Sequence, residues 1–208
     1  MIIYIIKNIM NSVKIFYEKN AQRFSDTRFC LWDVVLNFSN KFKKGDYVCD
    51  AGCGNGKNMK YLQEKCDIIG FDNCESLVKI CLEKGFYVTH KNVLFTGYLS
   101  NTFDYVICIA VIHHLDSEEK HIKAIHELMR ILKKEGELLF TLWAYESDIY
   151  SSKKKFILGH NYINFGKSGE ERYYYIYDKN SLEEMLKKLN YSTKFWWERG
   201  NWNIILKK

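Results

Sequence analysis

Proline is missing from all 208 residues, while lysine, asparagine, isoleucine and tyrosine are abundant. We attribute this bias to the nucleotide composition of the source genome, and no function follows from it. No shift in composition marks a linker, and repeats and low-complexity tracts are absent. A chain of 24.8 kDa therefore reads as one domain, 1–208, long enough to bury a proper core. Long apolar runs are also lacking. The opening Met1-Ile2-Ile3-Tyr4-Ile5-Ile6 stops at Lys7, too short for a membrane span and without the basic start of a signal peptide. We expect no membrane association and a cytosolic, cytoplasmic location. The seven cysteines are odd in number and include no C-x-x-C pair, which argues against a disulfide framework and a zinc site and for reduced core residues.

What is present is a glycine-rich turn. Asp50-Ala51-Gly52-Cys53-Gly54-Asn55-Gly56-Lys57 follows the apolar run Tyr47-Val48-Cys49, so three glycines fall where a strand must turn sharply into a helix. Glycine tolerates backbone angles closed to other residues and lets a ligand approach the main chain, as a nucleotide-cofactor cradle requires. The spacing is G-x-G-x-G with Lys57 sixth, not the dinucleotide pattern G-x-G-x-x-G, and an acid opens the turn. It resembles the turn of S-adenosylmethionine (SAM) methyltransferases, which faces the amino-acid part of SAM and places an acid near its ammonium. Asp72 closes the next apolar stretch, Asp67-Ile68-Ile69-Gly70-Phe71, twenty residues beyond Gly52. An acid so placed can accept hydrogen bonds from both ribose hydroxyls; alone it would read as a solvated strand end.

Along the chain, residues 8 to about 41 read as two helices, part of an N-terminal cap over 1–44. Alternation then follows: strand 46–51, helix 56–65, strand 67–71, helix 75–84, strand 86–90, strand 103–110, helix 117–134 and strand 136–144 after a turn at Gly136. This predicts an α/β fold, a Rossmann-like, mostly parallel sheet with helices on both faces and ligands at the carboxyl ends of the strands. Residues 145–172 lack a clear period and read as an insertion or lid. Ser181 is expected to cap a helix through Leu189, with Glu184 as its box partner. Strands 193–198 and 202–207 form an antiparallel C-terminal hairpin around Arg199-Gly200-Asn201.

Candidate acceptor residues lie beyond the third strand. In His90-Lys91-Asn92-Val93, Asn92 offers a side-chain carbonyl where SAM enzymes commonly set an acid or amide against the adenine amino group. Ile109-Ala110-Val111-Ile112-His113-His114 ends strand 103–110 at the rim where a methyl acceptor would meet the sulfonium. One histidine reads as structural and the other as a substrate contact. Metal binding is not expected, because neighbours at a strand end point in different directions and a third ligand is not evident. The excess charge of +6 lies entirely in residues 151–208, which hold 12 basic and 6 acidic side chains mixed with tyrosines and tryptophans. A solvated lysine surface explains charge alone; basic groups among aromatics also suit phosphates and unstacked bases.

Together these motifs resemble the eukaryotic tRNA wobble-uridine carboxymethyl methyltransferases, from about residue 17 to the C terminus. The marks are Phe24-Ser25-Asp26-Thr27-Arg28 with Trp32, the glycine turn, the Ile109 to His114 stretch, Leu142-Trp143-Ala144, Arg172-Tyr173-Tyr174 and Arg199-Gly200-Asn201-Trp202. Leu31 and Asp33 stand where the family usually has prolines, and Asn92 where it has an aspartate. The resemblance implies methylation of the carboxylate of 5-carboxymethyluridine in the tRNA anticodon loop, and a heterodimer with a small zinc-binding activator subunit. It implies Asp50, Gly52, Gly54, Gly56, Lys57, Asp72, Asn92, Val93 and Ala110 on the cofactor side. On the acceptor side it implies Arg28 and Arg172 as an anion clamp, His114 hydrogen-bonded to the uridine or its carboxylate with His113 beside it, and Trp143 and Tyr174 either stacking on a flipped base or packed in the core. A SAM methyltransferase for a protein or small molecule, and a silent RNA-binding subunit, are the competing readings.

Overall fold

The computed structural model describes residues 2–147, 156–165 and 169–208, with side chains from residue 12 onward. Its seven-stranded sheet consists of β1 (Tyr47–Ala51), β2 (Asp67–Asp72), β3 (Val88–His90), β4 (Phe103–Cys108), β5 (Leu132–Trp143), β8 (Ser192–Glu198) and β9 (Asn201–Lys207). The order is β3-β2-β1-β4-β5-β9-β8. The first five strands are parallel, and β9 and β8 close the sheet antiparallel. The order reverses between β1 and β4, so a crevice opens beyond their carboxyl ends. β1 and β4 are almost wholly buried, as strands covered on both faces must be.

The N-terminal region differs from the expected helix pair. One helix, α1 (Ile2–Ser25), runs for 24 residues, and the second, α2 (Asp33–Phe38), is short and passes into a tight turn at Ser39–Lys41. The Thr27 hydroxyl ends α1 by donating to the carbonyls of Arg23 and Phe24, both at 3.1 Å. Helix α3 (Lys57–Leu62) follows the glycine turn and α4 (Glu75–Glu83) follows β2. The α4 N-terminus is capped from a distance: the Glu18 carboxylate accepts from the amides of Glu75 at 2.6 Å and Ser76 at 3.0 Å, anchoring α1 beside the β2 end.

Other boundaries shift for local reasons. Helix α5 (Glu118–Ile131) starts at the Ser117 cap and ends three residues early, because β5 begins at Leu132. Gly136, expected as a turn, lies inside that strand at a bulge, where Glu135 has φ +66° and the β4–β5 register shifts between Phe103 and Tyr105. A side chain at Gly136 would meet the Asp104 carbonyl at 2.8 Å, which is why the bulge needs glycine. The last helix, α6 (Lys179–Lys187), is capped by Asp178 and not by Ser181. The Asp178 carboxylate accepts the Ser181 amide at 2.8 Å, and Ser181 Oγ accepts the Asp178 amide at 3.1 Å. Glu184 pairs with Lys187 instead.

The expected insertion carries structure among its described residues. β6 (Gly159–Asn164) pairs antiparallel with β7 (Glu171–Ile176), and this ribbon lies against the site. Asn161 and Ile163 face inward from β6, so one of its two buried positions is polar and the strand pattern is masked in the sequence. Residues 148–155 and 166–168 of the expected lid fall outside the described residues. The final hairpin turns on two residues in left-handed conformation, Arg199 and Gly200, while Asn201 joins β9. Six cysteines are buried and all seven are free. Among the described residues there is no helix long and apolar enough to cross a membrane and no cluster of metal-ligating side chains.

Candidate active site

One cavity of about 800 Å³ runs along the crevice. Such a volume is within the usual range of about 300–1,000 Å³ for small-molecule sites. Every residue named above as a site candidate lines it except Asp50 and Gly56.

In the cofactor half the glycine turn is held by its own backbone. The amides of Gly52 and Cys53 both donate to the Phe71 carbonyl, at 2.8 and 3.0 Å, and the Gly54 amide donates to Asp72 Oδ2 at 2.9 Å. Gly52 has φ +73°, and a Cβ there would sit 2.3 Å from Val111 Cγ2. Gly56 caps α3 at φ +77°, where a Cβ would sit 2.6 Å from Phe86 Cδ2, and it does not line the cavity. Asp72 Oδ1 accepts the Cys74 amide at 2.9 Å. Each carboxylate oxygen keeps a further lone pair for a ribose hydroxyl. Burial raises the Asp72 carboxyl above its ordinary range, opposed by those amide bonds.

Asp50 lies beneath the turn. Its Oδ2 accepts from Asn58 at 3.3 Å, while Oδ1 is buried without a hydrogen-bond partner, and burial pushes the carboxyl up to about 7. It does not line the cavity, so any charge it holds acts on a ligand through the turn and not by direct contact. Lys57, lowered by burial, lies over the Trp32 ring at 5.1 Å. Asn92 differs from expectation: its side-chain carbonyl already accepts the Leu94 amide at 2.9 Å, leaving one lone pair for an adenine amino group. Ala110 holds φ +59°, with its amide on Thr141 Oγ1 at 2.9 Å; this strained turn ends β4 two residues before the expected boundary.

The acceptor half is built from β7, the end of β5, the turn Ile112–His114 and α1. Arg172 is 8% exposed and makes no ion pair among the described residues. Its guanidinium sits among the rings of Phe165, Phe16, Tyr174 and Tyr17, at 4.7, 5.2, 5.3 and 5.9 Å, and its Nε is buried without a partner. A buried cation without a counter-charge is costly unless a ligand supplies one. Arg28 lies at the cavity wall over the Phe24 ring and donates to the Thr27 carbonyl at 3.2 Å.

The two histidines have different duties. His114 Nδ1–H donates to the Tyr173 carbonyl at 2.8 Å, and Nε2 accepts from the Tyr17 hydroxyl at 3.1 Å, so both ring nitrogens are used within the protein. Burial holds its pKa down to about 3. His113 Nδ1 accepts the Trp143 amide at 3.3 Å, leaving Nε2–H buried and without a partner; burial keeps this ring neutral too. Both nitrogens of His114 are thus engaged within the protein although its ring lines the cavity, and the unspent donor belongs to His113. Trp143 and Tyr174 stack on each other at 4.1 Å and 12°. Tyr174 is buried with Phe156, Ile163 and Ile176, and its ring lines the cavity beside Trp143.

Tyr17, not among the expected site residues, lines the cavity and joins Arg172 to His114. The available signal was its polar tip on a buried stripe, which has to find a partner.

A methyltransferase-domain family profile matches residues 18–193. The tRNA (carboxymethyluridine(34)-5-O)-methyltransferase of Schizosaccharomyces pombe is 33% identical over 92% of this chain and 94% of its own length. The chain belongs to this methyltransferase family. The Arabidopsis thaliana enzyme of the same name is 41% identical over 64% of this chain, which spans only 32% of that longer protein. Among solved structures, the DhpI–SAM–HEP complex superposes with a TM-score of 0.72 at 12% identity, covering 96% of this chain and 98% of that one, a likeness of fold. The chain is a SAM-dependent methyltransferase, and the cradle fits that cofactor. Asp72 lines the cavity with carboxylate lone pairs to spare, Asp50 lies outside its lining, and the cavity continues without a break to the acceptor half.

Proposed function

We infer that the chain methylates the carboxylate of 5-carboxymethyluridine at the wobble position of tRNA, giving the methyl ester. The observation that carries this reading is Arg172: a buried guanidinium without an acid partner among the described residues, lining the same cavity as the cofactor turn. Guanidinium binds a carboxylate through two parallel hydrogen bonds, and the aromatic box fixes its plane.

Chemical economy supports the same reading. SAM, when bound, supplies an electrophilic methyl on sulfur. The acceptor carboxylate, with an ordinary pKa of about 4, is ionised at neutral pH, so no general base is needed. As one of its oxygens forms the new C–O bond, the S–C bond breaks, its electron pair stays on sulfur and no proton moves. The protein has to hold the anion in line, which Arg172 and Arg28 do by charge and His113 Nε2–H by direction. Two neutral histidines and a cationic arginine suit an acceptor that arrives already charged.

We also propose that the small zinc-binding activator adds to the free edge at β3. There Tyr87, Phe95 and Leu99 are about four-fifths exposed, more apolar surface than a lone sheet edge usually shows to water. The test is co-expression with the activator, incubation of tRNA carrying carboxymethyluridine with SAM, and mass analysis of the wobble nucleoside. Gain of one methyl that is lost on mild ester hydrolysis is the expected result. Unchanged carboxymethyluridine beside methylated protein or small molecules would overturn the reading.

A further inference from the structure

Three features of α1 converge on the two halves of the site. Glu18 caps the N-terminus of α4, directly after Asp72. Asn20 donates to Glu170 Oε2 at 3.0 Å and Lys19 pairs with Glu170 at 2.6 Å, immediately before β7. Between them Tyr17 reaches the cavity with edge contacts to Phe16, Phe24 and His114.

The hydroxyl of Tyr17 is the middle of a directed chain. Arg172 Nη1–H donates to it at 3.2 Å, it donates to His114 Nε2 at 3.1 Å, and His114 Nδ1–H donates to the Tyr173 carbonyl at 2.8 Å. Each direction follows from the one before. A guanidinium can only donate, so the hydroxyl must accept from it and spend its own proton on the histidine, whose other nitrogen then carries the hydrogen. The neutral tautomer of His114 is thereby locked, and Arg172 is tied to β7's own backbone through α1. Aromatic faces hold the height of the guanidinium but leave rotation in its plane free; a hydrogen bond removes that freedom.

We propose that Tyr17 is a positioning residue of the methyl-transfer reaction: its hydroxyl orients the Arg172 guanidinium toward the acceptor carboxylate, through the hydrogen-bond chain that runs by way of His114 to the Tyr173 carbonyl. This rests on the carboxylate reading of the acceptor. Tyr17 acts through Arg172 and bears no charge of its own, since burial pushes its hydroxyl above its ordinary value.

The test is a cycle of Tyr17→Phe, Arg172→Lys and the double variant, in the activator complex with tRNA carrying carboxymethyluridine. Tyr17→Phe keeps the ring and its packing, so SAM affinity by calorimetry should equal that of the wild type. Its single-turnover rate should fall about ten- to hundredfold, the scale of one hydrogen bond to a charged group. The double variant should be no slower than Arg172→Lys, because there is then no guanidinium left to orient. A wild-type rate in Tyr17→Phe, or effects that multiply in the double variant, would overturn the proposal. If the wild type does not methylate carboxymethyluridine at all, the acceptor reading fails, and the inference is judged on the His114 ring resonances instead. Loss of the hydroxyl donor to Nε2 should raise the pH at which His114 titrates, and an unchanged titration would refute the chain.

Discussion

The two halves of the cavity solve opposite problems. In the cofactor half, the amides of Gly52, Cys53 and Gly54 are spent on the Phe71 carbonyl and on Asp72, so the turn itself is set before any ligand arrives, and Asp50 Oδ1, left without a partner, lies outside the cavity lining. In the acceptor half, a buried arginine and the donor of His113 are left without counterparts, and aromatic rings surround them. The first arrangement suits a cofactor that is the same in every turnover. The second holds electrostatic energy in reserve for one kind of acceptor, an anion, because only an anion repays the cost of the buried charge.

The sharpest way to break this comparison is Arg172→Ala. We expect SAM affinity to persist while single-turnover methylation falls at least about a hundredfold, the scale of losing one charge-assisted contact to the reacting group. Arg172→Lys distinguishes lost charge from lost packing, since it keeps the charge but not the two-pronged geometry. Methylation near the wild-type rate in both would move the anion site elsewhere.

On the cofactor side, Asp72→Ala should lower SAM affinity about ten- to hundredfold, as it removes the ribose acceptor and frees the amides of Gly54 and Cys74. Calorimetry on the activator complex measures it, and unaltered affinity would remove Asp72 from the site.

A smaller effect concerns acid lability, which the comparison assigns to the acceptor half. Below it His121 is fully buried, with Nε2–H on the Leu115 carbonyl at 2.9 Å and Nδ1 accepting from the Tyr177 hydroxyl at 2.7 Å, and burial lowers its pKa to about 4. An ordinary histidine titrates near 6.5, so between about 6.5 and 4 the unfolded chain binds a proton that the folded one refuses. Stability is therefore whole above that window and declines as pH falls through it, by up to about 1.4 kcal/mol per pH unit for this ring. Melting temperature followed from pH 7 to 4.5 should drop, and the drop should shrink in His121→Gln.

The smallest expected effect is none. Burial holds His114 down to about 3 and His113 well below its ordinary value, so the single-turnover rate should show no rise centred near pH 6.5. A limb there that disappears in His113→Gln would make His113 a base and not a director.

The cofactor half was legible in the sequence because its parts are contiguous: strand, glycine turn and the acid that closes the next strand are local signals, and spacing along the chain carries their geometry. Gly56 and Asp50, expected on the cofactor side, do not line the cavity, because spacing shows where a turn is but not which of its sides faces the crevice. The acceptor half was legible only as residue types, Arg28, Arg172 and the histidine pair. Which histidine is spent depends on partners from α1 and β7, and Trp143 and Tyr174 stack on each other because β5 and β7 meet, which no spacing encodes. Ser181 was given the wrong place in its capping box for a simpler reason: Asp178 offers the stronger acceptor three residues earlier.

By itself, then, the chain's order of residues determined the alternating sheet, the glycine cradle and a family whose motifs lie in sequence, since each rests on interactions within a few residues or on a repeating apolar pattern. Tertiary structure alone decided that Tyr17, Arg172 and His114, up to 155 residues apart, form one hydrogen-bonded line. Their directions follow from proton counting only once the atoms stand about 3 Å from one another, and that approach is made by the packing of α1 against the sheet.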